Sequence, residues 1–177
     1  MKTGHIQQKV KINAEPIDVY NALTDSKTHS EITKMKATNN VQVGGIFEQC
    51  DGHHKGYYLL LEPGKRIIQA WYNVDFPNNH FSIADFKFEK TKEGTKLIFN
   101  HYAVPKDSIK QLEVGWKKIY WNPLKDYLEK KNESKKAPVN KTATAKKVVK
   151  KATPAKKAAT KTAVKKSVKK PASKSSN

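Results

Sequence analysis

The sequence has a single cysteine, no long apolar run and no acidic residue in its last quarter, and each shortage excludes something. Cys50 has no second cysteine to pair with, so no intramolecular disulfide forms, and a lone thiol fits a reducing compartment. No stretch approaches the ~18 apolar residues that a membrane-spanning helix needs. Charged side chains interrupt residues 1–20, where an export signal requires an apolar core. We therefore expect a soluble, cytoplasmic protein that does not insert into membranes.

The missing acids divide the chain into two parts. The sequence has 35 basic and 16 acidic side chains, and every acid precedes residue 134. Residues 134–177 contain lysines but no aromatic residue, Leu, Ile or Met. Such a segment cannot bury enough apolar surface to offset its loss of conformational entropy on folding. We predict a folded, monomeric domain over residues 1–132 and a disordered, lysine-rich tail over residues 133–177.

The tail repeats pairs of lysine separated by Ala, Thr, Val and Pro, a composition similar to the C-terminal tails of linker histones and histone-like bacterial proteins. Lysines neutralise phosphates and release counterions, so the tail is expected to bind nucleic acid, which would make the protein nucleoid-associated. Without arginine or aromatic residues it lacks side chains that read or stack on bases. The alternatives are an inert solubility tail, an acidic protein partner or a membrane surface. The predicted contacts are Lys146, Lys147, Lys150, Lys151, Lys156, Lys157, Lys161, Lys165, Lys166, Lys169 and Lys170.

The first part of the chain has the sequence patterns of both helices and strands, as an α+β domain does. Residues 5–12 have the period of a half-buried strand, and Pro16 suits the first turn of a short helix. Asp25 and Ser26 offer a cap after that helix, and a second helix is predicted over residues 26–33. Between residues 41 and 104, five apolar segments are separated by turn residues. Loops this short join antiparallel neighbours, so these segments predict an antiparallel meander.

A long helix is predicted to begin at a Ser108 cap and to bend near Pro123, about one turn after Ile119. Its apolar residues recur at intervals of three and four and define one face, which can be buried only against a sheet. The predicted fold is a curved antiparallel sheet wrapped around this C-terminal helix. The apolar face comprises Ile109, Leu112, Trp116, Ile119, Tyr120, Leu124, Tyr127 and Leu128.

Three segments together resemble the family of activators of the heat-shock-protein ATPase, a branch of the START-like (SRPBCC, birch-pollen-allergen-like) superfamily. They are the GGIF run at 44–47, the LEPGKRI run at 61–67 followed by Trp71, and the GW pair at 115–116 before the YWNPL run at 120–124. The resemblance covers roughly residues 5–130. It implies a helix-grip fold with a cavity, and a role in binding a hydrophobic small molecule or assisting a chaperone.

Six side chains are predicted to line that cavity, although ordinary core packing is the alternative for each of them. Pockets for apolar ligands are walled mainly by aromatic and apolar side chains with a few polar anchors. No cofactor is expected. The six residues are Trp71, Phe86, Phe99, His101, Trp116 and Tyr120.

Two polar clusters are candidate chemical sites. Cys50, His53 and His54 are close in sequence, but consecutive residues of a strand point to opposite faces, so His53 and His54 are not expected to share a metal ion. An acid–base set, as in START-like hydrolases and cyclases, would comprise Asp75, His80, His101 and Tyr102. His101 and Tyr102 are neighbours on a strand, so at most one of them enters the pocket. We expect a protein that is not an enzyme, with the enzyme as the alternative.

Overall fold

The computed structural model describes residues 1–136, so the predicted nucleic-acid contacts and the expected disorder of residues 137–177 lie outside the described residues. Short 3-10 turns precede β6 and α3. The elements, in chain order, are β1 (Thr3–Ile12), α1 (Pro16–Thr24), α2 (Ser26–Thr33), β2 (Thr38–Asn39), β3 (Ile46–Gln49), β4 (His54–Glu62), β5 (Arg66–Asn73), β6 (Phe81–Thr91), β7 (Gly94–Pro105), α3 (Ile109–Gly115), a π-helical turn (Trp116–Trp121) and α4 (Asn122–Lys136).

The seven strands form one antiparallel sheet in the order β1-β7-β6-β5-β4-β3-β2. The N-terminal strand and the five meander strands are where the sequence places them. The two-residue strand β2, paired with β3, was not predicted, because two residues carry no alternation. With the long C-terminal helix against the sheet, the α+β helix-grip fold is confirmed.

The two short helices are joined by Asp25, which ends α1 and begins α2. The Asp25 carboxylate accepts a hydrogen bond from the backbone N–H of Thr28 at 2.8 Å, as an N-cap does. This hydrogen bond lowers the pKa of Asp25. The predicted cap between the two helices is therefore present.

The C-terminal helix differs from the prediction at two points. Ser108 lies in the helical region of backbone space, in the turn that precedes α3, and its side chain makes no capping hydrogen bond, because an N-cap needs an extended backbone. Just before the predicted bend, the helix has an unpredicted π-helical turn over Trp116–Trp121, where Asn122 N–H donates to Lys117 O. Pro123 has no N–H, so it can donate neither to Lys118 O nor to Ile119 O. The irregular turn therefore precedes the proline.

Within residues 1–136, no helix combines the length and apolar character needed to cross a membrane. The helix extends to Lys136, four residues beyond the predicted domain boundary at 132, and Asn132 still donates to the Asn13 carbonyl at 2.7 Å. The core lies between the helices and the inner face of the sheet, and Trp116, from the predicted apolar face, is 3% exposed. The adjacent Lys117 and Lys118 are exposed.

Candidate ligand cavity

A cavity of about 350 Å³ lies between the inner face of β4 and β5, the turn before β4, and the helical segment formed by α3 and the π-helical turn. Four exposed lining residues, Asp51, His53, Asp75 and Gln111, mark its opening. Its size falls in the range of small-molecule sites. The full lining is Met35, Cys50, Asp51, His53, His54, Trp71, Asn73, Asp75, Gln111, Leu112, Gly115, Trp116, Ile119 and Tyr120.

The wall of the cavity consists mainly of aromatic side chains, and these are almost fully buried. Trp71 on β5 packs against His54 on β4 with ring centroids 4.5 Å apart, and against Trp116 on the helix at 5.7 Å. Trp116 in turn packs against Tyr120 at 4.6 Å. The Trp71 indole is fully buried, and its Nε1–H has no hydrogen-bond partner within residues 1–136.

A polar cluster lies in the same wall. The Tyr120 hydroxyl is 3.2 Å from Cys50 Sγ and 3.1 Å from His54 Nδ1. A phenol has one proton to donate and can also accept, so a single chain of hydrogen bonds runs through it in one direction or the other. In one direction the thiol donates to the phenol and the phenol donates to the imidazole; in the other the order is reversed.

All three members of this cluster are uncharged at neutral pH. Burial lowers the pKa of His54 to about 4, with smaller contributions from His53 and His29. Burial also raises the pKa of Cys50, although the hydrogen bond with Tyr120 opposes this, and burial raises the pKa of Tyr120. A thiol must ionise to act as a nucleophile, so Cys50 is poised for hydrogen bonding and packing rather than for attack.

A strained turn places Cys50 in the cavity. Cys50 and Asp51 have φ angles of 52° and 55°, followed by Gly52 at 88°, so three consecutive residues occupy the left-handed region. Non-glycine residues adopt that region at a cost and need support from their surroundings. Asp51 supplies support, because its carboxylate accepts a hydrogen bond from Lys36 N–H at 2.9 Å.

Behind the cavity, His101 links the helix to the sheet. An indole nitrogen can only donate, so the 3.2 Å contact from Trp116 Nε1 makes His101 Nδ1 an acceptor. His101 Nε2 then carries the proton and donates to Ser82 Oγ at 2.8 Å, and Ser82 donates to Trp71 O at 3.0 Å. Burial lowers the pKa of His101 to about 3, which matches this neutral tautomer.

Three of the six predicted residues, Trp71, Trp116 and Tyr120, lie on the cavity wall, and three do not. His101 is behind Trp116. Phe86 on β6 pairs with Phe99 on β7, and both belong to the packed core. Phe86 is four residues along β6 from Ser82, the residue that pairs with Trp71. The sheet register therefore divides the predicted set. Whether the six bind a ligand remains a prediction.

The polar residues that the sequence suggests as chemical sites do not come together in the cavity. Neighbouring residues of a strand face opposite sides of the sheet, as expected. His53 is exposed while His54 faces the cavity, and His101 is buried while Tyr102 points outward. His80 bonds to the Ala103 carbonyl at 2.6 Å and is not in the cavity lining. Asp75 is at the opening.

Cys50 and His54 were not predicted to line the cavity, because they resemble ordinary hairpin residues. One signal was available: His54 lies two and four residues before Gly56 and Tyr58, which are both buried, so it shares their face of β4. Asp51 and Gly52 mark a hairpin turn in the sequence, but they do not indicate the left-handed backbone of Cys50 that brings its thiol to the same place.

A curved antiparallel sheet closed by a long C-terminal helix, with a cavity beside the helix, defines a START-like helix-grip domain. The chain belongs to the family described as activator of Hsp90 ATPase homolog 1-like protein, whose sequence model matches residues 13–129.

Curated relatives include the human activator of 90 kDa heat shock protein ATPase homolog 1, which is 25% identical over 123 residues, or 70% of this chain and 36% of the relative. The mouse activator of 90 kDa heat shock protein ATPase homolog 2 is 24% identical over 111 residues, which is 63% of this chain and 34% of the relative. The chain thus spans about a third of the length of these relatives.

Solved structures share the fold. An HSP90 activator from Plasmodium falciparum superposes with a TM-score of 0.63 at 22% identity, covering 73% of this chain and 97% of its own. The Aha1 dimer from Colwellia psychrerythraea gives a TM-score of 0.61 at 19% identity, covering 71% and 96%.

Proposed function

We propose that the domain is a non-enzymatic START-like module that binds a small hydrophobic molecule in the aromatic cavity. The observation that carries the proposal is the combination of an apolar wall with one uncharged polar cluster, formed by Cys50, His54 and Tyr120, in a space of about 350 Å³. Ligand pockets have this composition, with apolar area for affinity and few polar groups for orientation.

The test is a thermal-shift screen of the full chain with hydrophobic metabolites, compared with two tryptophan variants. Ile119 lines the cavity and is half-buried, so Ile119→Trp fills the space, whereas Val114 is exposed on α3 outside it. Compounds that stabilise the protein should lose their effect in Ile119→Trp and keep it in Val114→Trp. Equal shifts in both variants, or no stabilising compound at all, would contradict the proposal.

The alternative is a START-like hydrolase or cyclase that uses the same cavity. The uncharged thiol, phenol and imidazole provide no ready nucleophile at neutral pH, which favours binding over catalysis. Each compound that binds should therefore be recovered unchanged after prolonged incubation, as measured by mass spectrometry. Turnover that is lost in Tyr120→Phe would establish the enzyme instead.

A second candidate function is assistance to a chaperone, and family membership favours it. The human and mouse relatives are named as activators of the 90 kDa heat shock protein ATPase. Under this proposal, adding the full chain to a purified chaperone of that class increases its rate of ATP hydrolysis. An unchanged rate at saturating protein would reject it.

We also propose that the lysine-rich tail binds nucleic acid without sequence preference. Residues 134–177 carry lysines and no acid, which supports binding to a phosphate backbone. If about 6–10 lysines contact phosphates, DNA affinity should fall by a factor of about 10³–10⁵ between 50 and 200 mM salt.

The control for the tail is the chain ending at Lys136, whose melting temperature should stay within a few degrees if the domain is independent. Fluorescence anisotropy with two unrelated DNA duplexes should then show strong, salt-sensitive binding by the full chain alone. Binding that persists after truncation would refute the role of the tail, and a full chain that does not bind at low salt would leave an inert solubility segment.

A further inference from the structure

The cavity lining has carboxylates but no lysine or arginine, although basic side chains outnumber acidic ones in the chain as a whole. The lining contains two carboxylates, Asp51 and Asp75, and neither lysine nor arginine. The chain as a whole has 35 basic and 16 acidic side chains. Within residues 1–136, neither carboxylate has a lysine, arginine or histidine nitrogen within 4 Å, unlike Asp85, which pairs with Arg66 at 2.9 Å.

The aromatic wall next to these carboxylates is suited to a positive charge. The faces of Trp and Tyr rings attract a cation within about 6 Å of the ring centroid. Trp71, Trp116 and Tyr120 pack in a row along the wall, with successive centroids 5.7 and 4.6 Å apart and ring planes tilted by 41° and 42°. An anionic ligand would find no positive side chain on the lining and would pass two carboxylates at the opening.

We propose that the cavity selects a small organic cation, with an ammonium group at the opening near Asp51 and Asp75 and a compact apolar body against Trp71 and Trp116. This inference rests on the proposed function of the cavity and narrows its ligand class. The ammonium group is held by the carboxylates and the aromatic faces, while the body displaces water from the apolar wall.

Three indole compounds that differ only in their end group test the charge: tryptamine is a cation, tryptophol is neutral and indoleacetate is an anion. The readout on the full chain is the Trp71 indole N–H resonance in ¹⁵N-labelled protein, which reports on the cavity wall rather than on the tail. Tryptamine should bind roughly tenfold more tightly than tryptophol, and indoleacetate most weakly. The tryptamine advantage should shrink as salt screens the exposed carboxylates.

Carboxamide variants isolate the carboxylates. Asp51→Asn keeps an acceptor for the Lys36 N–H and Asp75→Asn removes only charge, so the double variant should bind tryptophol unchanged and lose most of the preference for tryptamine. Asp107→Asn, an exposed acid outside the cavity, is the matched control and should keep the preference.

The outcomes separate this inference from the function on which it rests. If tryptophol or indoleacetate binds as tightly as tryptamine, or the double variant keeps the full preference, the cavity binds small molecules but the cation selectivity is wrong. If none of the three compounds shifts the Trp71 resonance, binding in the cavity fails and the inference fails with it.

Discussion

The interior of the domain has a packed end and an end that borders the cavity. Both ends are built from aromatic side chains, but they differ in how closely those side chains pack. At one end, Phe86, Phe99 and Trp121 pack together, with Phe99 4.9 Å from Phe86 and 5.1 Å from Trp121 between ring centroids. At the other end, Trp71 and Tyr120 border the cavity. Aromatic content therefore does not distinguish a packed core from the wall of a cavity.

The residues paired across the sheet differ between the two ends. Trp71 has Gly56 on β4 and Ser82 on β6 as its paired residues, and both are small. Phe86 has Ile67 on β5 and Phe99 on β7. The Phe47 ring occupies the space at Gly56, where an added Cβ would meet it at 2.8 Å, so the cavity lies on the helix side of Trp71 rather than above its small partners.

The largest expected effect is at Trp116, which contacts both ends through Trp71 and Phe99. Trp116→Ala should lower the free energy of unfolding by about 3–5 kcal/mol, the usual cost of truncating a buried aromatic side chain. Urea denaturation followed by circular dichroism measures it. The adjacent Lys117→Ala, at an exposed site, should change stability by less than about 0.5 kcal/mol. A small cost at Trp116 would mean that the helix does not depend on this anchor.

Acid should destabilise both ends through their histidines. His54 and His101 have pKa values of about 4 and about 3 in the fold, below the ordinary value of 6.5, so the unfolded chain binds more protons in this range. Stability is fully present above about pH 6.5 and falls as the pH drops toward these folded pKa values. Each histidine should cost up to about 1.4 kcal/mol per pH unit.

Denaturant titrations at pH 6 and pH 5 measure that loss. His54→Leu should reduce the drop between the two pH values by roughly one histidine's share, and His5→Leu, at an exposed position, should not. An identical drop in the wild type and in His54→Leu would show that His54 is not held neutral.

Removing a hydrogen-bond partner should cost more at the packed end than at the cavity. Gln8 accepts a hydrogen bond from the Trp121 indole and donates to the Glu113 carbonyl at 3.0 Å. Gln8→Leu leaves the buried indole N–H unpaired and should cost about 1–3 kcal/mol in chemical denaturation. Gln7→Leu on the exposed face is the control, and equal costs for the two would mean that the buried contact contributes nothing specific.

The smallest effect is expected at the cavity. Tyr120→Phe keeps the ring and removes the hydroxyl that joins Cys50 to His54, and water in the cavity can replace the lost hydrogen bonds. The expected loss is about 0.5–1.5 kcal/mol, again from chemical denaturation. A loss larger than that of Gln8→Leu would reverse the proposed contrast between the two ends.

The fold could be predicted from the sequence because its signals are local. Alternation gave the strands, Pro16 and Asp25 marked the helix starts, and the face that includes Trp116 required a sheet to cover it. The π-helical turn could not be predicted, since spacings of three and four suit an α-helix equally well. The division of the predicted cavity residues depends on pairings such as Gly56 with Trp71, which join positions far apart in sequence and follow no local rule.

The π-helical turn also has a dynamic consequence. It forms one wall of the cavity, and Pro123 leaves its backbone hydrogen-bond ladder incomplete, so this wall should open locally more often than α4. Its amide protons should exchange with deuterated water sooner than those of α4, and a compound in the cavity should slow that exchange. The proline would then set how readily a ligand enters and leaves, although it does not line the cavity.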